Sequence, residues 1–136
     1  MQKTFIMQKT FIVLMLFFMA AMFTAGCSPE KKDDPTALLN TYFGSAVKQD
    51  YATTYTCYYL PYKEKISKDD FIKHRKEASV LQSYRILSVN TAGDTAKADV
   101  QLTFAASEKF HRQKPVTINV TEDMIKEPDG WKIKVW

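Results

Sequence analysis

Two kinds of hydrophobic pattern divide the chain. Between residues 35 and 78, apolar positions recur three or four residues apart, whereas from residue 84 onward they alternate with polar positions. The first spacing places apolar side chains along one stripe of a helix, and the alternation places them on one face of a strand. The pattern therefore predicts a helical first half followed by strands.

The first half is predicted to form three helices. Asp34 is a suitable N-cap for the first, and Pro35 fits its first position because that position needs no N–H donor. A tyrosine-rich second helix follows a break at 49–50 and is expected to end at Pro61. The third starts at 67–70, which is close to a capping box. The apolar stripe of the first helix contains Leu38, Leu39, Tyr42, Phe43, Ala46 and Val47.

The second half predicts a four-stranded antiparallel meander. Its clearest strand is 95–106, and the same alternation recurs at 116–121 and 131–135, with turn residues at 92–94 and 128–130. The apolar side of the clearest strand carries Ala96, Ala98, Val100, Leu102, Phe104 and Ala106. The predicted fold class is α+β, with three helices packed on the apolar face of a bent sheet.

An uninterrupted apolar run precedes this domain. It covers residues 11–23, follows Lys9, and is shorter than the roughly 18 to 20 residues that a membrane-spanning helix requires. A basic start, an apolar run and small residues are typical of a signal peptide. Residues 1–6 are repeated at 7–12, so Met7 is an alternative start.

The four residues directly after this run, Thr24-Ala25-Gly26-Cys27, resemble the lipobox of bacterial lipoproteins. In that family the cysteine sulfur receives a diacylglycerol, the chain is cleaved before the cysteine, and the freed amine is often acylated with a fatty acid such as palmitate. The resemblance implies that 1–26 is a signal peptide, 27–34 a lipidated cysteine with a short flexible tether, and 35–136 the folded domain. Secretion without lipid is the alternative.

The same resemblance implies a location in the bacterial cell envelope, with membrane attachment through lipid on Cys27. Ser28 follows that cysteine, which in bacteria with two membranes resembles lipoproteins on the periplasmic leaflet of the outer membrane. With a single membrane, the outer face of the plasma membrane is expected. Two or more acyl chains give stable anchoring, whereas one chain does not.

Charge does not point to a nucleic-acid partner. The formal net charge is +4, but Lys3 and Lys9 lie in the leader, and the remainder has 17 basic and 15 acidic residues. Cys57 has no partner if Cys27 is lipidated, and the tyrosines around it favour burial over an exposed thiol. No cofactor is predicted.

Metal binding is not predicted either. His74 and Glu77 stand three apart on the third helix, but two ligands do not make a site, and Lys73, Arg75 and Lys76 would repel a cation. These residues are expected to form a solvated helical face.

The order of helices and sheet resembles the cystatin-like superfamily that includes nuclear transport factor 2 and ketosteroid isomerase, and within it the small bacterial lipoproteins of unknown function. The resemblance covers 35–136 and implies a cone-shaped domain. It rests on Leu38-Leu39-Asn40-Thr41-Tyr42-Phe43, Lys48-Gln49-Asp50-Tyr51, Ser67-Lys68-Asp69-Asp70-Phe71 and Trp131-Lys132-Ile133-Lys134-Val135.

The inside of the cone is expected to be apolar, since Asp99 falls on the polar face of its strand. An isomerase of this superfamily needs an internal carboxylate base, and none is apparent. The sequence therefore predicts a noncatalytic module that binds a small apolar ligand or a partner protein, with an isomerase or hydrolase in the cone as the alternative. The candidate pocket residues are Tyr42, Tyr55, Tyr58 and Phe104, and the alternative for the tyrosines is ordinary core packing.

Two surfaces are further candidates. The loop before Pro115 carries Lys109, His111, Arg112 and Lys114, which could contact anionic lipid or cell-wall polymers, or remain solvated. The outer sheet face could support a homodimer, as in relatives of this fold, or remain solvated. Its polar stripe consists of Lys97, Asp99, Gln101 and Thr103.

Overall fold

A computed structural model describes residues 33–135 of the chain. The helices are α1 (Pro35–Val47), α2 (Tyr51–Thr56), α3 (Leu60–Lys65) and α4 (Lys68–Glu77). The strands are β1 (Leu81–Ala92), β2 (Thr95–Phe104), β3 (Val116–Glu127) and β4 (Gly130–Lys134), and a 3-10 turn, Glu108–Phe110, lies between β2 and β3.

The predicted fold class is confirmed. All neighbouring strands are antiparallel and follow the meander order β1-β2-β3-β4, and α1 packs against β1 and β4. The centre of the core lies between these layers, where Leu39, Val100, Met124 and Ile133 are buried. Apolar burial on one sheet face is what the alternating pattern of β2 requires.

The predicted signal peptide, Cys27 and most of the tether lie outside the described residues. Within residues 33–135, no helix has both the length and the apolar character needed to cross a bilayer.

The helix starts follow the capping chemistry read from the sequence. The Asp34 carboxylate accepts a hydrogen bond from the Thr36 N–H at 2.8 Å. The Ser67 hydroxyl accepts one from the Asp70 N–H at 3.1 Å and contacts the Asp70 carboxylate at 2.7 Å. Both caps satisfy N–H groups that have no partner within the helix.

The tyrosine-rich segment differs from the prediction, because it forms two helices rather than one. Pro61 is the second residue of α3 instead of the end of α2. The intervening backbone pairs with β4: the Ile133 N–H donates to the Cys57 carbonyl at 2.8 Å, and the Tyr59 N–H donates to the Ile133 carbonyl at 3.1 Å. This pairing across more than seventy positions interrupts the helix, and no local pattern reveals it.

The first half of β3 is less covered than predicted. Ile118 pairs with Leu102 and Val116 pairs with Phe104, so both share the inner face of the sheet. They nevertheless remain 43% and 38% exposed. The helices therefore leave the apolar face of the sheet partly uncovered at this end.

Candidate functional site

A partly open cavity of about 140 Å³ lies between the helices and the sheet. Its wall is formed by three parts of the chain. The first is α1 with α2, the second is α4 with the segment after it, and the third is the sheet from β1 to β3. The cavity is lined by Tyr42, Phe43, Ala46, Tyr51, Arg75, Ser79, Leu81, Leu102, Phe104 and Glu122. A cavity of roughly 150 Å³ admits benzene, so this one suits a ligand of about six heavy atoms.

Arg75 is the cationic group of this cavity. It stands four residues after Phe71 on α4, so the two side chains share one face of the helix. The guanidinium carbon lies 5.3 Å from the centre of the buried Phe71 ring, within cation–π range. The expectation that Arg75 belongs to a solvated face with Lys73 and Lys76 is therefore wrong.

Two tyrosine hydroxyls hold the Arg75 guanidinium. Its Nη2 donates to the Tyr58 hydroxyl at 2.9 Å and to the Tyr42 hydroxyl at 3.4 Å. The two hydroxyls lie 2.6 Å apart and share a hydrogen bond. Burial, followed by the neighbouring Tyr58, raises the pKa of Tyr42 well above its usual value, so this hydroxyl stays protonated and can donate.

Glu122 is the anionic group of the cavity. Its β3 position pairs with Ala98, whose side chain is buried against the core, so Glu122 faces inward as well. Burial raises the pKa of this carboxyl, Arg75 opposes that shift, and Asp123 adds to it. The expectation of a cone without an internal carboxylate is therefore wrong.

The sequence carried a signal for both charged residues. The alternation that places Val116, Ile118 and Val120 on the inner face continues to Glu122, and the helical spacing from Phe71 continues to Arg75. Both extensions break the rule that inward positions are apolar, and such breaks are typical of functional sites.

The candidate pocket residues occupy three different environments. Tyr42 and Phe104 are in the cavity wall, whereas Tyr58 lies one hydrogen bond behind it, on Tyr42 and Arg75. Tyr55 lies elsewhere: its hydroxyl donates to the Ile66 carbonyl at 2.8 Å and ties α2 to the end of α3. A ligand-binding role for these residues remains a prediction.

The predicted cationic residues of the β2–β3 loop lie in two different environments. Arg112 packs between the rings of Phe104 and Phe110, and its Nη2 donates to the Ser79 hydroxyl at 2.6 Å. Lys109 donates to the Glu77 carbonyl at 2.8 Å. His111, in left-handed backbone conformation with φ of 52°, and Lys114 are exposed. Half of the predicted cationic contact surface is thus folded back on the domain.

Cys57 is buried, as predicted, at 4% exposure. Burial raises the pKa of its thiol, which disfavours the reactive thiolate at neutral pH. Cys57 is not among the residues that line the cavity, whose polar side chains are those of Arg75, Glu122, Ser79 and the tyrosines.

This arrangement can bind a polar group or transfer a proton. Aromatic and aliphatic walls exclude water from the body of a ligand, while Arg75 and the Tyr42 hydroxyl offer donors to an oxygen atom. Glu122 offers an acceptor or, with its raised pKa, a proton. A single carboxylate and no histidine or cysteine among these lining residues make a poor metal site.

No protein-family model and no curated protein matches this sequence. The fold is similar to that of a SEC-C motif-containing protein from Rhodopseudomonas palustris, with a TM-score of 0.63 and 12% identity over 76% of this chain and 77% of that chain. A second SEC-C motif-containing protein, from Psychrobacter arcticus, gives a TM-score of 0.60 and 9% identity over 76% of this chain. The match spans 60% of the Psychrobacter chain, under two thirds of its length.

A protein from Campylobacter jejuni, named as a proposed nuclear-transport-factor-2-like transpeptidase, gives a TM-score of 0.50 and 14% identity over 76% of this chain and all of that chain. At such identities the likeness establishes the fold alone, which is nuclear-transport-factor-2-like. This fold is compatible with ligand-binding and with enzymatic roles.

Proposed function

We propose that the chain is a lipid-anchored envelope protein whose domain binds a small molecule in the cavity between its helices and sheet, without transforming it. The observation that carries this proposal is a cavity with mainly apolar walls into which one guanidinium and one carboxylate project. Ligand sites in proteins combine apolar walls with a few polar groups that fix orientation.

The Arg75 guanidinium is supported from behind. Tyr58 holds the Arg75 guanidinium at 2.9 Å, and the Phe71 ring lies beneath it. A guanidinium fixed in this way loses little further side-chain entropy when a ligand binds, which favours affinity. The ligand is expected to place its apolar body against Phe43, Leu102 and Phe104.

Membrane attachment belongs to the same proposal and rests on Thr24-Ala25-Gly26-Cys27. The described domain begins at Asp33, where the Trp131 Nε1–H donates to the Asp33 carbonyl at 3.2 Å and Lys126 forms an ion pair with the Asp33 carboxylate at 3.1 Å. Six residues from Cys27 reach at most about 20 Å, which would keep the bound ligand within a domain diameter of the membrane.

Mass spectrometry of the native protein extracted from membranes tests both parts. We expect the chain from Cys27 onward, carrying two or three acyl chains, together with an added small mass that unfolding releases. The Cys27→Ser variant should move to the soluble fraction and keep its ligand. An unmodified Cys27, or a Cys27→Ser variant that stays on membranes, would contradict the anchor.

A second candidate function is an isomerase or proton-transfer enzyme, which Glu122 specifically favours. A carboxylate with a raised pKa in a cavity that also holds the Tyr42 hydroxyl supplies a base and an oxyanion donor. Exchange of the α-hydrogens of 2-butanone in D2O, followed by NMR, tests this. Exchange above the buffer rate that disappears in Glu122→Gln would support the enzyme, and exchange at the buffer rate would favour simple binding.

A further inference from the structure

We propose that the cavity is built for a small zwitterion, an amino acid with one carboxylate and one ammonium group. The carboxylate would bind Arg75 and the ammonium would bind Glu122. This inference rests on the proposed function, because it assumes that the cavity binds a small molecule, and it adds the chemical class of that molecule.

The cationic end of the site lacks a counter-ion. Within residues 33–135, Arg75 forms no ion pair within 4.0 Å, and its protein hydrogen bonds go to two neutral hydroxyls through Nη2 alone. A guanidinium has five N–H donors, and none of the remaining nitrogens of Arg75 is both buried and without a partner. These donors therefore reach solvent, and Arg75 lines the cavity. A carboxylate is the anion whose geometry they match.

The anionic end lacks a partner as well. Glu122 makes no hydrogen bond and no ion pair with any residue of the described domain, although it is partly buried in the cavity wall. A carboxylate withdrawn from water without a partner is destabilised, so a bound ammonium group would recover part of that loss.

Arg75 and Glu122 do not form an ion pair with each other, and this disfavours ligands that carry a single charge. Arg75 lies close enough to Glu122 to oppose the rise in the pKa of its carboxyl, yet no Arg75 nitrogen is within 4.0 Å of a Glu122 oxygen. A ligand with only a carboxylate would be attracted by Arg75 and repelled by Glu122, and a ligand with only an ammonium would meet the opposite conflict. A zwitterion gains from both groups.

The size of the cavity selects short amino acids. A volume of about 140 Å³ fits about six heavy atoms, the size of 3-aminopropanoate. Two controls match it in shape: butanoate replaces the ammonium by a methyl group, and 3-aminopropanamide replaces the carboxylate by a neutral amide. Calorimetric titration of the full lipidated chain in detergent micelles with these probes measures how much the ammonium and the carboxylate each contribute to affinity.

We expect 3-aminopropanoate, or its homologue one methylene shorter or longer, to bind at least about tenfold more tightly than its two matched controls. In Glu122→Gln the preference over butanoate should fall to about one, while carboxylate binding remains. In Arg75→Gln the preference over 3-aminopropanamide should disappear. Circular dichroism melting curves confirm that each variant is folded. If Arg75→Gln unfolds, the binding preference of Glu122→Gln is sufficient to test the inference.

Four results separate the inference from the proposed function. Butanoate binding as tightly as 3-aminopropanoate, or a preference unchanged in Glu122→Gln, would overturn the zwitterion but leave a small-molecule cavity. Binding of neutral butanamide or benzene alone would do the same. Failure of every probe, charged or neutral, together with no ligand mass in the native protein, would contradict the proposed function itself.

Discussion

The hydroxyl groups of Tyr42 and Tyr58 lie 2.6 Å apart, although the residues are 16 positions apart on different segments. Their rings meet edge to face with centroids 5.4 Å apart, so the contact combines aromatic packing with a hydrogen bond. Arg75 donates to both oxygens. The pair therefore joins the first helix, the segment that bridges to β4, and α4 at the inner end of the cavity.

Tyr58→Phe should destabilise the domain by about 1 to 3 kcal/mol, because it removes the main acceptor of a partly buried guanidinium while the ring stays in place. Tyr51→Phe is the matched control. Tyr51 is equally a buried ring in this region, but its hydroxyl makes no hydrogen bond within the described residues. Urea unfolding midpoints measure the difference, and equal midpoints for the two variants would refute the supporting role of Tyr58.

Glu122 should make stability depend on pH. Burial raises the pKa of its carboxyl in the folded domain above the ordinary value that the carboxyl has in the unfolded chain. Of the neighbouring charges, Arg75 opposes this rise and Asp123 adds to it. Between these two values the folded state binds more protons, so the free energy of unfolding falls as pH rises from about 4.5 through the folded pKa. Glu122→Gln cannot titrate, so it should gain stability relative to wild type across that window.

Urea unfolding of wild type and Glu122→Gln at intervals between pH 4 and 8 checks this prediction. Glu64→Gln is the control, since Glu64 is an exposed carboxylate on α3. A difference from wild type that varies with pH equally in both variants would show that the burial of Glu122 is not the cause. A constant difference for Glu122→Gln would mean that the carboxyl titrates alike in the folded and unfolded chains.

The architecture was predictable because it follows from local periodicity. The alternation of Ala96, Ala98 and Val100 identified the buried face of β2, and the cap residues Asp34 and Ser67 located two helix starts. These signals lie within a few residues of one another, so a single sequence contains them. The short turns at 93–94 and 128–129 then made β1 and β2, and β3 and β4, antiparallel neighbours.

The site was less predictable because its parts are distant in sequence. Arg75 on α4 and Glu122 on β3 line one cavity only in the folded chain, and each lies at a position where the local pattern favoured a solvated or an apolar residue. The bridge between Cys57, Tyr59 and Ile133 that splits the second helix is equally nonlocal. Tertiary contacts overrule local preference at these positions.

Arg112 should hold the β2–β3 loop in place. Its guanidinium packs against Phe104 and Phe110 and donates to Ser79, while its Nε is buried without a partner among the described residues. Arg112→Ala removes both packing and a hydrogen bond, so we expect loop amides to exchange about tenfold faster, the equivalent of roughly 1.4 kcal/mol of local stability.

Hydrogen exchange with mass spectrometry of the peptide covering 105–115 measures this effect. Lys114→Ala is the matched control because Lys114 is an exposed cation of the same loop that forms no hydrogen bond or ion pair with the described residues. That variant should exchange like wild type. If both variants exchange alike, Arg112 does not restrain the loop.

Leu39 tests whether the core lies where the α1 stripe meets the sheet. Its side chain is fully buried at 0% exposure, whereas Leu60 is 56% exposed at the start of α3. Leu39→Ala should lower the free energy of unfolding by about 2 to 5 kcal/mol, since it leaves a cavity in a packed interior. Leu60→Ala deletes the same atoms at the surface and should stay within about 0.5 kcal/mol of wild type. Urea unfolding compares the two, and a smaller loss for Leu39→Ala than for Leu60→Ala would show that α1 does not pack through this face.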